Sequence, residues 1–71
     1  MVSKITMILE VLDDGKWHGI VELQERLELN EREVQEITIF LTKYDFVKID
    51  KEHERVRINR SFQRLLDQTI T

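Results

Sequence analysis

The sequence predicts a small α+β domain in which helices predominate. Three segments repeat apolar residues at the three- and four-residue spacing of a buried helix face. They are followed by two short segments in which apolar and polar residues alternate, as they do in half-buried strands. The 71 residues form one domain, and a core of this size gives only a narrow margin of stability.

The composition is that of a folded soluble chain. Hydrophobic residues make up 41% and charged residues 35%, which argues against disorder along the whole length. The absence of Cys excludes disulfides, zinc thiolate sites and cysteine nucleophiles. No apolar run approaches the ~20 residues of a membrane span, and Lys4 and Glu10 interrupt the first segment. We therefore expect a cytoplasmic protein with no membrane span and no signal peptide.

Charge is distributed unevenly along the chain. The net charge is −3, but residues 1–45 hold five Lys or Arg against ten Asp or Glu, giving −5. Residues 46–71 hold six against four, giving +2. The residues that could attract a polyanion are therefore concentrated in the C-terminal third.

The first predicted helix is capped by Ser3 and runs to about Asp13. Its inward face contains Ile5, Ile8, Leu9 and Leu12. Met7 and Val11 form a second apolar stripe, which needs a cover from the C-terminus or from another subunit. Gly15 is the natural residue for a left-handed end to this helix.

A short extended segment and a second helix follow. Residues 16–18 are too few for a helix and are predicted to be extended, with Trp17 in the core. The second helix runs from about Ile20 to Leu27 and is predicted to bury Ile20, Leu23 and Leu27. Residues 28–30 then make a tight turn, with Leu29 pointing inward, that leads directly into the third helix.

The third helix, residues 30–44, has the best-defined start. Asn30 is a favourable N-cap, and Glu33 stands where its carboxylate can bond back to the cap. The predicted buried face contains Val34, Ile37, Leu41 and Tyr44, with Phe40 at its margin. The opposite face presents an exposed row formed by Arg32, Gln35, Glu36, Ile39, Thr42 and Lys43. Asp45 tolerates the left-handed conformation that can end the helix.

The alternating segments 46–50 and 55–59 predict a two-stranded hairpin. The residues expected to face the core are Val47, Ile49, Val56 and Ile58. The outward and tip positions hold Lys48, Lys51, His53, Arg55 and Arg57. Ser61 is expected to cap a last helix, with Phe62, Leu65, Leu66 and Thr69 along one side.

This order of elements resembles that of the winged helix-turn-helix domain. The resemblance covers residues 3–59 as three helices, a short strand and a β-hairpin wing. Residues 61–71 form an extra C-terminal helix appended to the domain of residues 1–60. The run I-V-E-L-Q-E-R-L-E-L-N-E-R-E-V-Q-E-I looks like the helix-turn-helix of small bacterial and archaeal members, and L-T-K-Y-D-F-V-K-I-D resembles the passage into the wing. Asp45 departs from the Gly that is frequent there, and Gln24 replaces a frequent Ala.

The resemblance implies a transcriptional regulator that binds double-stranded DNA without a cofactor. The third helix would enter the major groove with its exposed row, and the wing would contact phosphates or the minor groove. Arg32 or Lys43 could pair with guanine and Gln35 with adenine, while Ile39 or the methyl group of Thr42 could meet a thymine methyl. Basic wing residues would supply the salt-dependent phosphate contacts. These are Lys51, His53, Arg55 or Arg57, with Lys48 in the same outward row.

Two other interpretations remain open. The exposed row can be an ordinary solvated surface, since Arg32 and Lys43 against Glu36 leave only one positive charge. A winged-helix module that binds a protein instead of DNA would use the acidic first half and Ile39 as its contact surface. An enzyme is not expected, because no Gly-rich phosphate loop or activated serine is evident. The two His residues are far apart without any Cys, so no metal site is predicted. A chain this short is not expected to contain a pocket for a small molecule.

The C-terminal helix can be placed in two ways. It can pack on the first helix of its own chain, or it can join that helix in a dimer. We expect a homodimer through these two helices, because two-fold symmetry suits a palindromic DNA site and would also support a marginal core.

Overall fold

Four helices and three short strands make up the described part of the chain. The computed structural model describes residues 3–70, and it describes side chains for residues 3–68. The elements are α1 (Lys4–Leu12), β1 (His18–Gly19), α2 (Ile20–Leu27), α3 (Glu31–Lys43), β2 (Val47–Asp50), β3 (Arg55–Ile58) and α4 (Arg60–Ile70). The mostly helical α+β class predicted from the sequence is confirmed. No helix in the described range has the length and hydropathy needed to cross a membrane.

The strands form one antiparallel sheet in the order β1-β3-β2. Val56 of the central strand pairs with Ile49 on one side and with His18 on the other. The predicted hairpin is confirmed. A short strand before α2 is also present, but it consists of His18 and Gly19, whereas the extended segment was predicted at residues 16–18. One face of this sheet packs against the helices, while the other face is open.

The core lies between the sheet and the first three helices. Its buried apolar residues are Ile8, Leu12, Leu23, Leu29, Val34, Leu41, Val47, Val56 and Ile58. All nine belong to the faces or turns predicted to point inward. Ile5, which was predicted to face inward, lies in the first turn of α1 and is 37% exposed. Thr38 is buried as well, and its hydroxyl donates to the carbonyl of Gln35 at 3.1 Å.

Both ends of α3 are fixed locally. The side-chain oxygen of Asn30 accepts from the backbone N–H of Glu33 at 2.8 Å, and the Glu33 carboxylate accepts from the N–H of Asn30 at 3.2 Å. This is the predicted capping box. At the other end Asp45 has φ 64°, the predicted left-handed conformation. Glu28, with φ 55°, makes the turn from α2.

The predicted burial of Tyr44 is wrong, since it is 53% exposed. The buried stripe of α3 follows Val34, Thr38 and Leu41, so Tyr44 has rotated away from it by the end of the helix. Tyr44 instead contacts two aromatic neighbours, with ring centroids 5.1 Å from Phe40 and 6.0 Å from Phe46. Phe46 stacks in turn on Phe62 of α4 at 4.1 Å.

The last helix begins one residue earlier than predicted, at Arg60, so Ser61 is inside it and is not its cap. The preceding residue, Asn59, donates from its side chain to the carbonyl of Asp45 at 2.9 Å and so ties the start of α4 to the end of α3. Phe62 and Leu66 pack against the core, whereas Leu65 is mostly exposed. The Gln63 side chain donates to the carbonyl of Asp13, which brings α4 to the end of α1. The side chain of Thr69 lies outside the described residues.

The cap of α3 gives a first prediction. Replacing Asn30 by Ala removes the acceptor for the Glu33 N–H, and we expect the free energy of unfolding to fall by about 1 kcal/mol. Asn30→Asp keeps a side-chain acceptor oxygen at the same place, now on a carboxylate, and should change the free energy of unfolding little. Urea unfolding followed by circular dichroism measures both variants. An Ala variant that unfolds at the wild-type midpoint would show that the cap does not stabilise α3.

Candidate nucleic-acid interface

The exposed row of α3 has no covering element in the described part of the chain. All six predicted residues are exposed: Arg32, Gln35, Glu36, Ile39, Thr42 and Lys43. Ile39 has 63% of its surface in solvent, a high value for an isoleucine surrounded by polar side chains. The row therefore exists as an accessible surface, whatever it contacts.

Several of these side chains already have partners within the helix. The Arg32 Nε donates to Glu36 at 3.1 Å, and the Gln35 amide donates to Glu31 at 3.1 Å. The Arg32 pair is largely exposed on both sides, so it adds little stability and can exchange for another partner. Lys43 makes no ion pair with any described residue. Lys43 is therefore the most available cation on α3.

An open groove of ≈ 550 Å³ lies beside this row, between α2, α3 and the hairpin. Its apolar lining consists of Ile20, Val21, Ile39 and Ile49. Its charged lining consists of Glu25, Glu31, Glu54 and Lys51. Three carboxylates against one ammonium make the groove acidic, so it favours a cationic occupant over a phosphate.

The hairpin divides the remaining predicted residues between two places. Lys51 lines the groove beside Gln35 and Ile39, so the structure brings it together with the α3 row. Lys48 pairs across the hairpin with Arg57, and Asp50 pairs with Arg55. These positions alternate with the inward residues of the strands, so Lys48, Arg55 and Arg57 belong to the open face of the sheet.

Asp50 engages two of the predicted basic residues near the hairpin tip. His53 Nδ1 lies 2.9 Å and Arg55 Nε 3.0 Å from the same Asp50 oxygen. The hydrogen bond from His53 lowers the pKa of the Asp50 carboxyl. Partial burial opposes this shift, and the hydrogen bond from Arg55 adds to it. Because this carboxylate stays charged, it competes with any phosphate for His53 and Arg55. Lys51 is the tip cation without such a partner among the described residues.

The predicted burial of Trp17 is also wrong, since its side chain is 36% exposed. Consecutive residues of an extended strand point to opposite faces, and His18 takes the inward position beside Val56. Trp17 therefore points outward. Its ring lies under two guanidinium groups, whose carbons are 4.8 Å (Arg55) and 6.0 Å (Arg57) from the ring centroid.

His18 is a buried residue whose role the sequence analysis missed. Its Nδ1 lies 2.6 Å from Glu22, and its Nε2 lies 2.9 Å from Asp14. The spacing of four residues on either side of His18 was the signal that could have indicated this network. Because both ring nitrogens meet carboxylates, the imidazolium form joins the loop after α1 to the first turn of α2.

The charges of this network depend on one another. Burial alone would lower the pKa of His18, but its hydrogen bonds to Glu22 and Asp14 outweigh that effect and raise it. The hydrogen bond from the Lys16 backbone, followed by that from His18, lowers the pKa of Asp14. The hydrogen bond from His18 lowers the pKa of Glu22. All three pKa shifts therefore favour the charged triad, in which the His18 imidazolium lies between two carboxylates.

Comparisons with protein-family models, with curated proteins and with solved structures found no match to this chain. The family resemblance described for the sequence therefore remains a prediction. The case for a function rests on the exposed surfaces of the chain itself.

The His18 network predicts a pH-dependent stability. A histidine whose pKa is higher in the folded state contributes fully below its ordinary pKa of 6.5, and that contribution is lost as the pH rises through the raised value. We therefore expect the free energy of unfolding to decline from pH 6.5 into the alkaline range. Urea unfolding at a series of pH values measures this decline.

Two variants assign the decline to His18. His18→Gln keeps a polar side chain but cannot take up a proton, so its unfolding free energy should no longer decline as the pH rises. His53→Gln removes the other histidine, which is exposed at the hairpin tip, and this variant should keep the decline in unfolding free energy with pH. A decline that persists in His18→Gln and disappears in His53→Gln would contradict the assignment.

Proposed function

We propose that this protein is a winged helix-turn-helix DNA-binding protein that acts as a transcriptional regulator. One observation carries the proposal: α3 is a capped helix of 13 residues whose outer row is uncovered along its whole length. It follows α2 after a three-residue turn, and the hairpin stands beside it across the groove. A helix exposed in this way has the form that enters a major groove.

The α3 row offers the chemistry for reading base edges. Arg32, released from its exposed pair with Glu36, can bind guanine. The Gln35 amide can donate one hydrogen bond to adenine and accept one from it. Ile39 supplies an apolar surface for a thymine methyl. The Thr42 hydroxyl donates to the Thr38 carbonyl at 2.8 Å, which leaves the Thr42 methyl group for the same kind of contact.

Phosphate contacts would come from the two ends of this surface. Lys43 lies at the end of α3, and Lys51 lies at the hairpin tip on the far side of the groove. The carboxylates of Glu31 and Glu54 line the same groove as Lys51. Attraction to DNA is therefore weak at long range, and binding should depend strongly on salt and on the fit to a particular site.

The groove favours a second candidate, a winged-helix module that binds a protein. Its apolar floor and its three glutamates fit a basic amphipathic segment of a partner. In this case Ile39 would contact the partner's apolar residues instead of a base. The two candidates differ in their ligand, because a duplex needs the cations of α3 whereas a basic segment needs the glutamates.

The Lys43→Ala variant tests the DNA proposal. If Lys43 contacts a phosphate, this change should weaken duplex binding and lower the slope of log K against log salt by about 0.9. Arg64→Ala removes one positive charge from the exposed surface of α4 and is the matched control, which should bind as the wild type does. Fluorescence anisotropy with a labelled duplex, at low and at near-physiological salt, measures both.

Amide NMR of the same titration locates the contact. Shifts within residues 31–43 and 51–54 that weaken as salt rises support the DNA proposal. No shifts at low salt would contradict it, since non-specific phosphate attraction should appear there first. Shifts of the same residues by a lysine-rich amphipathic peptide, with none from the duplex, would favour the interaction module.

We also propose that the protein forms a homodimer through α1 and α4. The supporting observation is apolar surface in the first turn of α1, where Ile5 is partly exposed.

Light scattering of Ile5→Asp should give the mass of a monomer, because a carboxylate would be buried in the interface. Val21→Asp places the same charge on an exposed apolar residue of α2 and should leave the dimer intact. A wild-type chain that is monomeric would contradict the proposal.

A further inference from the structure

The open face of the sheet carries a basic and aromatic surface that the α3 proposal does not use. This basic-aromatic face comprises Trp17, Lys48, Arg55, Arg57 and Arg60. Its one acid is Asp50, whose carboxylate is already held by Arg55 and His53. Neither Lys48 nor Arg57 makes an ion pair with any described residue. Arg60 makes none either, so the face keeps three cations without an acidic partner among the described residues, Lys48, Arg57 and Arg60.

A small pocket of ≈ 220 Å³ opens at one side of this face. Lys48, Arg57 and Arg60 line it together with Ile58 and Asn59, and no carboxylate belongs to the lining. Three residues with cationic side chains thus line one concavity with no carboxylate to balance them. Such a lining favours an anion, and a phosphate is the anion that Arg and Lys bind most readily.

Arg57 connects this pocket to the aromatic ring. Its guanidinium carbon is 6.0 Å from the Trp17 centroid, and the same side chain lines the pocket. The Arg55 guanidinium, closer to the ring at 4.8 Å, helps to fix the indole on the sheet. About a third of the Trp17 surface stays in solvent. A planar ring and an anion site thus stand side by side, with one arginine between them.

We propose that the basic-aromatic face binds single-stranded nucleic acid. One unpaired base would stack on the part of the Trp17 ring that Arg55 and Arg57 leave in solvent, while a neighbouring phosphate would occupy the pocket lined by Lys48, Arg57 and Arg60. Aromatic rings with adjacent cations bind single strands in this way, with little dependence on sequence. A duplex keeps its bases paired and stacked inside, so it can satisfy the cations but not the ring.

The composition of the face argues against an anionic membrane surface as its ligand. Insertion into the headgroup region requires a broad apolar surface, as an amphipathic helix provides. The outward strand positions here hold Lys48, Asp50, Arg55 and Arg57, so Trp17 is the lone apolar side chain among them. One indole on a flat charged sheet suits one nucleobase better than it suits a lipid layer.

Trp17 is the single tryptophan of the chain, so its fluorescence reports on this face directly. The probe is a single-stranded oligothymidylate of roughly 12 nucleotides, a length within the range that one small domain covers. We expect saturable quenching of the tryptophan emission at low salt, with an affinity that falls as salt is added. A duplex of the same length should leave the emission nearly unchanged even if it binds at α3.

Substitutions separate stacking from charge. Binding of a labelled oligothymidylate is measured by fluorescence anisotropy. Trp17→Ala should weaken this binding by roughly 5- to 100-fold. Trp17→Phe keeps a stacking ring and should retain most of the affinity. Lys48→Ala should lower the slope of log K against log salt by about 0.7. Lys43→Ala removes the same charge from α3 and should leave single-strand binding unchanged.

Several results would overturn the inference. They are an absence of quenching at low salt, an equal loss in Lys43→Ala and Lys48→Ala, and a Trp17→Phe variant as weak as Trp17→Ala. Quenching by phosphatidylserine vesicles but not by oligothymidylate would assign the face to a membrane surface instead. Circular dichroism shows whether each variant is folded. If Trp17→Ala does not fold, the binding of Trp17→Phe and of Lys48→Ala is enough to test the inference. The α3 proposal is tested by duplex binding and this inference by single-strand binding, so either can fail without the other.

Discussion

The pairing of Val56 with its two neighbours is the constraint on which the rest of the structure depends. Val56 is fully buried in the central strand, and it sets Ile49 on one side and His18 on the other in the same layer. Because side chains alternate along a strand, a slip of one residue would turn every inward position outward. This register therefore fixes both the core face and the open face of the sheet.

The surface chemistry follows from that register. With His18 turned inward, it needs partners in a buried place, and Asp14 and Glu22 provide them. With Trp17 turned outward, its ring becomes a support for Arg55 and Arg57. The aromatic residue is thus displaced from the core by a histidine, which hydropathy alone would not suggest.

The fold separates opposite charges that lie close together in sequence. The groove beside α3 contains three glutamates and one lysine, whereas the pocket on the open face of the sheet contains three cations and no acid. The even mixture of charges along the hairpin hides this separation. A polyanion meets favourable electrostatics at the sheet, while at α3 it must be held by close contacts that offset the acidic surroundings.

The sequence determined the local structure, because periodicity, caps and turns depend on neighbouring residues. It predicted the helix bounds of α2, the capping box of Asn30, the hairpin and the exposed row of α3. It could not determine which surfaces share a side of the molecule, because that depends on strand pairing and on how helices rotate against the core. Only the tertiary structure therefore decided that Trp17 and Tyr44 are exposed and that Lys51 is separated from Lys48 and Arg57.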